Sequence, residues 1–199
     1  MKHMKHILSS LAVACVALSI SGCAVGAQKY SMSIENASKL KQLSKRTDNK
    51  INVGNFTSST GKGFEGCRIV DTIETPSGKP YEKYLQDAIN AEFIIADLQD
   101  TSGETLTANI TKLDLDNPVL FADGVWTISV DFTLGNHTFT IDNKQIFETL
   151  MDNKIACVRA AWNFDELIQG TVSQLASNPI FIKAINESQK TTHLSSNNL

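Results

Sequence analysis

The sequence predicts an α+β fold in two layers, an antiparallel-rich sheet with two main helices packed on one face. In the stretch VWTISVDFTL an apolar series alternates with polar residues, and its members are Trp126, Ile128, Val130, Phe132 and Leu134. A strand with one apolar and one polar face favours antiparallel pairing. Two further segments, near 80–98 and 163–177, each carry a single apolar helical stripe. Because each stripe needs one partner surface and the strand offers only one, we expect both helices on the face that bears Ile128.

Residues 1–22 have the features of a secretory signal peptide. MKHMKH is a short basic start, and the residues from Ile7 to Ile20 are apolar or small. A helix of that length is about 21 Å long at 1.5 Å per residue. The hydrocarbon core of a bilayer is about 30 Å thick. The run is therefore too short for a spanning helix and is typical of a cleaved signal.

Cys23 stands immediately after this signal. Ile20-Ser21-Gly22-Cys23 resembles the bacterial lipoprotein box, a branched apolar residue and two small residues followed by cysteine. The resemblance implies transfer of a diacylglyceryl group to the Cys23 thiol, cleavage between Gly22 and Cys23, and acylation of the new amine. The alternative is an ordinary signal with an incidental cysteine, and Cys15 shows that incidental cysteines occur in this segment.

Lipidation would decide where the protein resides. Two or more acyl chains make a stable anchor, while one holds a protein only marginally. Ala24 follows the cysteine where an aspartate would resemble an inner-membrane retention signal. We therefore expect a lipid anchor in the outer membrane, with the domain facing the periplasm and exposure at the cell surface as an alternative.

The segment from 23 to 50 is interpreted as the lipidated N-terminus, a tether and a possible short helix. Residues 24–33 have no period of either kind, and Asn36 or Ser38 is the expected cap of the helix. Residues 50–56 and 67–74 are expected strands on either side of a Gly-rich loop. That loop contains a literal G-x-G-x-x-G at 61–66, but a dinucleotide site needs a helix directly after it, so we expect a hairpin-like loop.

The first main helix follows turn chemistry at 75–80, with Pro80 suited to its first position. Glu92 falls within or beside the apolar stripe of this helix. A buried carboxylate there is a candidate functional group. The alternative, which we favour, is a glutamate at the edge of the stripe or in a local pair.

A β-rich region occupies residues 104 to about 150. Its first strand shifts phase from Ile110 to Leu113, which predicts a bulge near Thr111 or Lys112. Gly135-Asn136 predicts the turn between the next two strands. The last strand is expected to break at Asp142-Asn143.

The second main helix has an apparent start at Asn163, with Glu166 as the reciprocal partner of a capping box and Trp162 and Leu167 as a hydrophobic staple. Residues 180–185 suggest a short extra turn of helix, and residues 186–199 a flexible polar tail. The expected organisation is thus a signal at 1–22, a lipidated tether region at 23–50, one α+β domain at 51–185, and the tail.

Two cysteines remain besides the lipidation candidate, Cys67 and Cys157. An even pair in an oxidising compartment predicts a disulfide. The alternative is two separate buried thiols.

Composition narrows the functional classes. Removal of residues 1–22 takes away Lys2 and Lys5, so the formal net charge changes from −3 to −5, which argues against a nucleic-acid surface. Only His137 and His193 remain beyond the signal. We therefore expect no zinc-type cluster, no Ser-His or Cys-His catalytic pair, and no cofactor.

The chain resembles the YajG-type outer-membrane lipoproteins and related small periplasmic lipoproteins. The stretches that carry the resemblance are YLQDAINAEF, LTANITKLDLD, GVWTISVDFTLGNHTF and DELIQGTVSQLASNPIFIKAI. The similarity lies in alternation and spacing from about 51 to 185. It implies a small α+β domain held at the outer membrane, with no established chemistry and no catalytic residues.

Three functions are compatible with these observations. The first is a non-catalytic binding or assembly accessory that engages an envelope protein or a lipid. The second is an auxiliary lipoprotein subunit of an envelope transport system. The third is an envelope hydrolase, for which Asp114 and Asp116 are the available carboxylate pair; the chain lacks the G-x-S-x-G motif, and we expect no enzyme.

Overall fold

The computed structural model describes residues 24–69, 71–119 and 122–196. Over these ranges the helices are α1 (Ile34–Ser44), α2 (Tyr81–Ile95), α3 (Asn153–Ser177) and α4 (Pro179–Ser196). The strands are β1 (Val25–Gly26), β2 (Ile51–Ser58), β3 (Glu65–Cys67), β4 (Asp71–Glu74), β5 (Glu104–Asp116), β6 (Gly124–Leu134) and β7 (His137–Phe147). Residues 1–23, which include the predicted signal and Cys23, lie outside the described residues.

The larger sheet has the strand order β2-β5-β6-β7. The β5-β6 and β6-β7 pairs are antiparallel, while β2 runs parallel to β5. The register of β5 against β6 shifts between Ile110 and Lys112, which confirms the predicted bulge. The turn between β6 and β7 lies at the predicted Gly135, whose φ of 56° suits a residue without Cβ.

Helices α2 and α3 cover one face of this sheet, and the predicted two-layer α+β fold is confirmed. The five alternating residues of β6 are each at most 1% exposed: Trp126, Ile128, Val130, Phe132 and Leu134. The indole of Trp126 donates to the backbone oxygen of Ala160 on α3 at 2.7 Å, so the largest core side chain also satisfies its polar atom. The face that carries Ser129 is more accessible, as expected.

A second, smaller sheet has the order β1-β4-β3 and was not predicted as a separate unit. The sequence from 67 to 74 was expected to be one strand. It instead turns back on itself, and Arg68 takes a φ of 51° between the antiparallel β3 and β4. The Gly-rich loop is followed directly by β3 and not by a helix, in agreement with the predicted hairpin-like loop.

Helix α3 begins at Asn153, ten residues before the predicted start, so the predicted cap at Asn163 is wrong. The cap is Asp152, whose Oδ1 accepts from the backbone nitrogen of Ile155 at 2.9 Å. Asn163 lies inside the helix, and its side chain donates to the oxygen of Arg159 at 3.0 Å. The first turns bury small side chains, which give a weak apolar stripe in the sequence.

Helix α4 is also longer than predicted and continues to Ser196, through most of the expected flexible tail. Phe181, near its start, is fully buried and stacks with Phe93 of α2 at 6.0 Å between ring centroids. This contact ties α4 to the core, so its first half is part of the domain.

Three local predictions also differ from the structure. The cap of α1 is Ser33, whose Oγ accepts from the nitrogen of Asn36 at 3.4 Å, and neither Asn36 nor Ser38 caps it. Pro80 precedes the first helical residue of α2 as its N-cap. Strand β7 continues through Asn143, whose side chain donates to the oxygen of Leu167 at 2.9 Å and so satisfies a polar group beneath α3.

Candidate functional site: the docked N-terminus and the attachment end

Residues 25–33, called here the N-terminal strap, pack against the domain and do not form the predicted loose tether. Strand β1 pairs Val25 with Ile73 and Gly26 with Glu74. Ala27 is buried, and its nitrogen donates to the oxygen of Glu74 at 2.7 Å. The prediction failed because the strap has no periodicity of its own; its order comes from partners 48 and 134 residues away.

Glu92 of α2 holds the far end of the strap. Its side chain is fully buried, so the favoured placement at the edge of the stripe is wrong. Its Oε1 accepts from the Tyr30 hydroxyl and from the nitrogen of Ser33, both at 2.8 Å. Among the described residues its Oε2 has no hydrogen-bond partner. The carboxylate therefore binds backbone and side chain of the chain's own N-terminal segment.

Asp165 of α3 holds the middle of the strap. It is 6% exposed and accepts from the nitrogen of Ser31 at 3.2 Å, from the Tyr84 hydroxyl at 3.3 Å and from Gln169 at 3.2 Å. Burial raises the pKa of Asp165 above its ordinary value, although these hydrogen bonds oppose the shift. Burial also raises the pKa of Tyr84 and of Tyr30, so both phenols remain protonated donors toward the carboxylates.

A pH prediction follows from the raised pKa of Asp165. A carboxyl with a raised folded pKa binds its proton more tightly in the folded state, so its contribution to stability is complete below the unfolded pKa and is lost as the pH rises through the folded pKa. The unfolding free energy of the wild type, relative to that of Asp165→Asn, should therefore fall as the pH rises above the ordinary value of 3.8. Urea melts of both proteins from about pH 4 to pH 7 measure this difference.

Asp100 is the matched control for this experiment. It is exposed, and its hydrogen bonds with Ser102 lower its pKa. The wild type measured against Asp100→Asn should show a flat difference from pH 4 to pH 7, because a group with a lowered pKa loses its stabilising contribution only as the pH falls below its ordinary value of 3.8. A flat or rising difference for Asp165→Asn between pH 4 and pH 7 would contradict the assigned burial effect.

A disulfide joins Cys67 at the end of β3 to Cys157 in the first turns of α3, as predicted. Both residues are fully buried. The bridge fixes the small sheet to α3 next to the turn that contains Arg68. It also keeps the segment that pairs with the strap in place.

Arg68 joins three segments at this end of the molecule. Its guanidinium donates to the oxygens of Pro118 at 2.8 Å and Leu150 at 2.7 Å, to Thr149 Oγ1 at 2.7 Å and to Asn153 Oδ1 at 2.8 Å. We call this the attachment end: the β3–β4 turn, the described parts of the β5–β6 connection, and the β7–α3 connection. No sequence motif indicated it, because its parts meet only in the fold.

The remaining candidate residues lie in two separate places, around Lys62 and at the start of β7. Asp114 and Asp116 lie on the exposed part of β5, and Asp114 is 3.8 Å from Lys62 Nζ. Glu65, a buried carboxylate near them, also pairs with Lys62, at 2.9 Å. Burial raises the pKa of Glu65, although the ion pair with Lys62 opposes this shift. His137, the first residue of β7, contacts Glu187 of α4 at 2.9 Å. Asp114 and Glu65 therefore meet at the ammonium group of Lys62, whereas His137 lies apart from them.

Neither a metal cluster nor a membrane-spanning helix is present within the described ranges. They contain no group of three or more His, Cys, Asp or Glu side chains arranged to hold a metal ion. None of the helices within 24–69, 71–119 and 122–196 combines the length and apolar character needed to cross a bilayer.

Comparison with known proteins gave distant structural similarities. The sequence matches no protein family and no curated protein. An uncharacterized protein of known crystal structure shares 10% identity over 78% of this chain and 95% of its own, with a TM-score of 0.41. A "putative lipoprotein" from Caulobacter crescentus CB15 shares 14% identity over 83% of this chain and 99% of its own, with a TM-score of 0.36. Both TM-scores are below 0.5, so these similarities establish neither a family nor a function for this chain.

Proposed function

We propose that this chain is a lipid-anchored periplasmic lipoprotein of the outer membrane. The observation that carries the proposal is Ile20-Ser21-Gly22-Cys23 at the end of a short apolar run. In this proposal, cleavage after Gly22 leaves Cys23 as the acylated N-terminus. The domain then follows its anchor almost directly, because Val25 is already paired in the small sheet.

We further propose that the protein acts as a non-catalytic binding or assembly accessory. Its buried carboxylates support this, since each is used within the fold. Glu92 and Asp165 accept hydrogen bonds from the strap, and Glu65 pairs with Lys62. A hydrolase would need such groups directed toward a substrate cleft. In this chain Glu92 and Asp165 hold the N-terminal strap against the domain, which suits a protein whose position relative to its anchor matters.

Cys23→Ser is expected to abolish acylation and to leave an unprocessed precursor. Serine lacks the thiol that accepts the diacylglyceryl group. Metabolic labelling with a fatty-acid analogue measures the effect, and the mutant should carry no label. Cys15→Ser is the matched control, since it removes a thiol from the same segment and should leave labelling unchanged. Equal labelling of Cys23→Ser and the wild type would contradict lipidation at this site.

The accessory role is tested by crosslinking in intact envelopes followed by mass spectrometry of the purified adducts. Wild type and Cys23→Ser are compared at equal expression. A defined envelope protein crosslinked only to the lipidated form supports an accessory role, and a component of a transport complex identifies the auxiliary-subunit variant of it. Cleavage of envelope polymers by the purified protein would overturn the non-catalytic proposal.

A further inference from the structure

We propose that the attachment end rests on the bilayer and inserts exposed apolar side chains into it. The residues are Ile69, Val119, Met151 and Ile155, called here the apolar tip. This inference rests on the proposed lipidation of Cys23 and adds a defined orientation to it: one end of the domain, and no other, faces the lipid.

The position of the N-terminus supports this orientation. Strand β1 runs parallel to β4, with Val25 opposite Ile73, so the start of β1 lies at the Asp71 end of β4. Asp71 pairs with Cys67 beside the turn that carries Arg68 and Ile69. Two residues span at most about 7 Å of extended chain. An acylated Cys23 is therefore confined to the neighbourhood of this turn, and its acyl chains bring the same end of the domain to the membrane.

The apolar tip has the exposure expected of an inserting surface. Ile69 is 100% exposed, Met151 72%, Val119 52% and Ile155 50%. Val119 and Met151 line one open cavity of about 400 Å³. Exposed apolar side chains grouped at one end of a domain mark an interaction surface. A lipid surface is the occupant favoured here, because the covalent path to the anchor ends beside Ile69.

The tip is held as a unit. Arg68 donates to backbone oxygens on both sides of it, at Pro118 and Leu150, and to Asn153 at the start of α3. The buried Cys67–Cys157 disulfide lies next to Arg68 and joins the β3–β4 turn to α3. Backbone oxygens that Arg68 satisfies do not need water when the tip approaches the hydrocarbon boundary.

The charges around the tip specify the kind of lipid. Asp123 and Asp152 are exposed, and Glu148 pairs with Arg159 at 2.8 Å. Lys154 is also exposed on the first turn of α3. With Arg68 at the centre of the tip as a second cation that pairs only with neutral oxygens, neither sign of charge dominates, so contact with the bilayer is driven by apolar burial. A zwitterionic surface such as phosphatidylethanolamine is therefore sufficient for this contact, and anionic lipid is not required.

Quenching by nitroxide-labelled phospholipids tests the orientation. The lipidated mature protein, which begins at Cys23, is reconstituted into phosphatidylethanolamine–phosphatidylcholine vesicles as Ile69→Trp and, separately, as Ile94→Trp. Ile94 is the matched control, because it is 58% exposed near the end of α2, at the opposite end of the sheet. After subtraction of the wild-type signal, quenching of the Ile69→Trp fluorescence should exceed that of Ile94→Trp by about fivefold or more. Replacing a third of the lipid by phosphatidylglycerol should leave this ratio unchanged or lower it.

The outcomes separate this inference from the proposed function. Fatty-acid labelling of each sample reports lipidation independently of quenching. Labelled, vesicle-bound protein with equal quenching at both positions would overturn the orientation while leaving the anchor intact. A ratio that rises with phosphatidylglycerol would overturn the apolar mechanism. Absence of label would refute the anchor itself, and the orientation with it.

Discussion

Removal of the Cys67–Cys157 bridge is expected to lower the free energy of unfolding by about 4–5 kcal/mol. The cysteines are 90 residues apart in sequence, and in the chain-entropy model a closed loop of that length restricts the unfolded chain by about this amount. The test variant replaces both residues with alanine, which avoids leaving a free thiol. Because both sites are fully buried, alanine is preferable to serine.

Chemical denaturation with and without reductant measures this effect. Oxidised wild type should be the most stable species, and reductant should lower its stability toward that of the alanine pair. The alanine pair should be insensitive to reductant, which makes it its own control. If oxidised wild type and the alanine pair unfolded at the same denaturant concentration, the bridge would not contribute as expected.

Ile128→Ala is expected to destabilise the domain by about 2–5 kcal/mol. Ile128 is fully buried in the centre of β6, between the sheet and the helical layer, and alanine would leave a cavity there. The value combines the lost transfer of apolar surface with the cavity that the neighbours fail to fill. Urea denaturation at constant pH measures it as a shift in the midpoint without a change in slope.

Ser129→Ala is the matched control, one residue along the same strand on the opposite face. Its side chain is partly exposed, and a substitution there should change stability by less than about 0.5 kcal/mol. A larger loss of stability for Ser129→Ala than for Ile128→Ala would mean that the hydrophobic core of the domain lies on the other face of the sheet.

The strap and the attachment end bear on function together. The strap lies across α2 and α3 through Glu92 and Asp165, and its first paired residue is Val25. A chain tethered by a long flexible segment samples many orientations above a membrane. A strap packed from Val25 onward leaves little freedom between anchor and domain. If Cys23 is acylated as proposed, the domain would therefore be held close to the bilayer in a defined orientation.

The local sequence pattern by itself predicted the antiparallel part of the larger sheet and which of its faces is buried. The alternation around Ile128, the phase shift after Ile110 and the turn at Gly135 each depend on a few neighbouring residues, and each is found in the structure. The disulfide was predicted by a different argument, since Cys67 and Cys157 are a single pair of cysteines beyond a predicted secretory signal and lipidation site. Such features need no knowledge of distant contacts, because the period of a strand or the chemistry of a turn is local.

Only the tertiary structure decided the strap, the early start of α3 and the attachment end. Residues 25–33 are ordered by Ile73, Glu92 and Asp165, and no local signal reports such partners. Asn163 and Glu166 match a capping box, yet the stretch before them stays helical because its small residues, among them Ala160, pack beneath Trp126. Arg68 likewise acquires its role from carbonyl oxygens 50 or more residues away. In each case the deciding energy comes from burial and hydrogen bonds between segments far apart in sequence, which outweigh weak local preferences once the core forms.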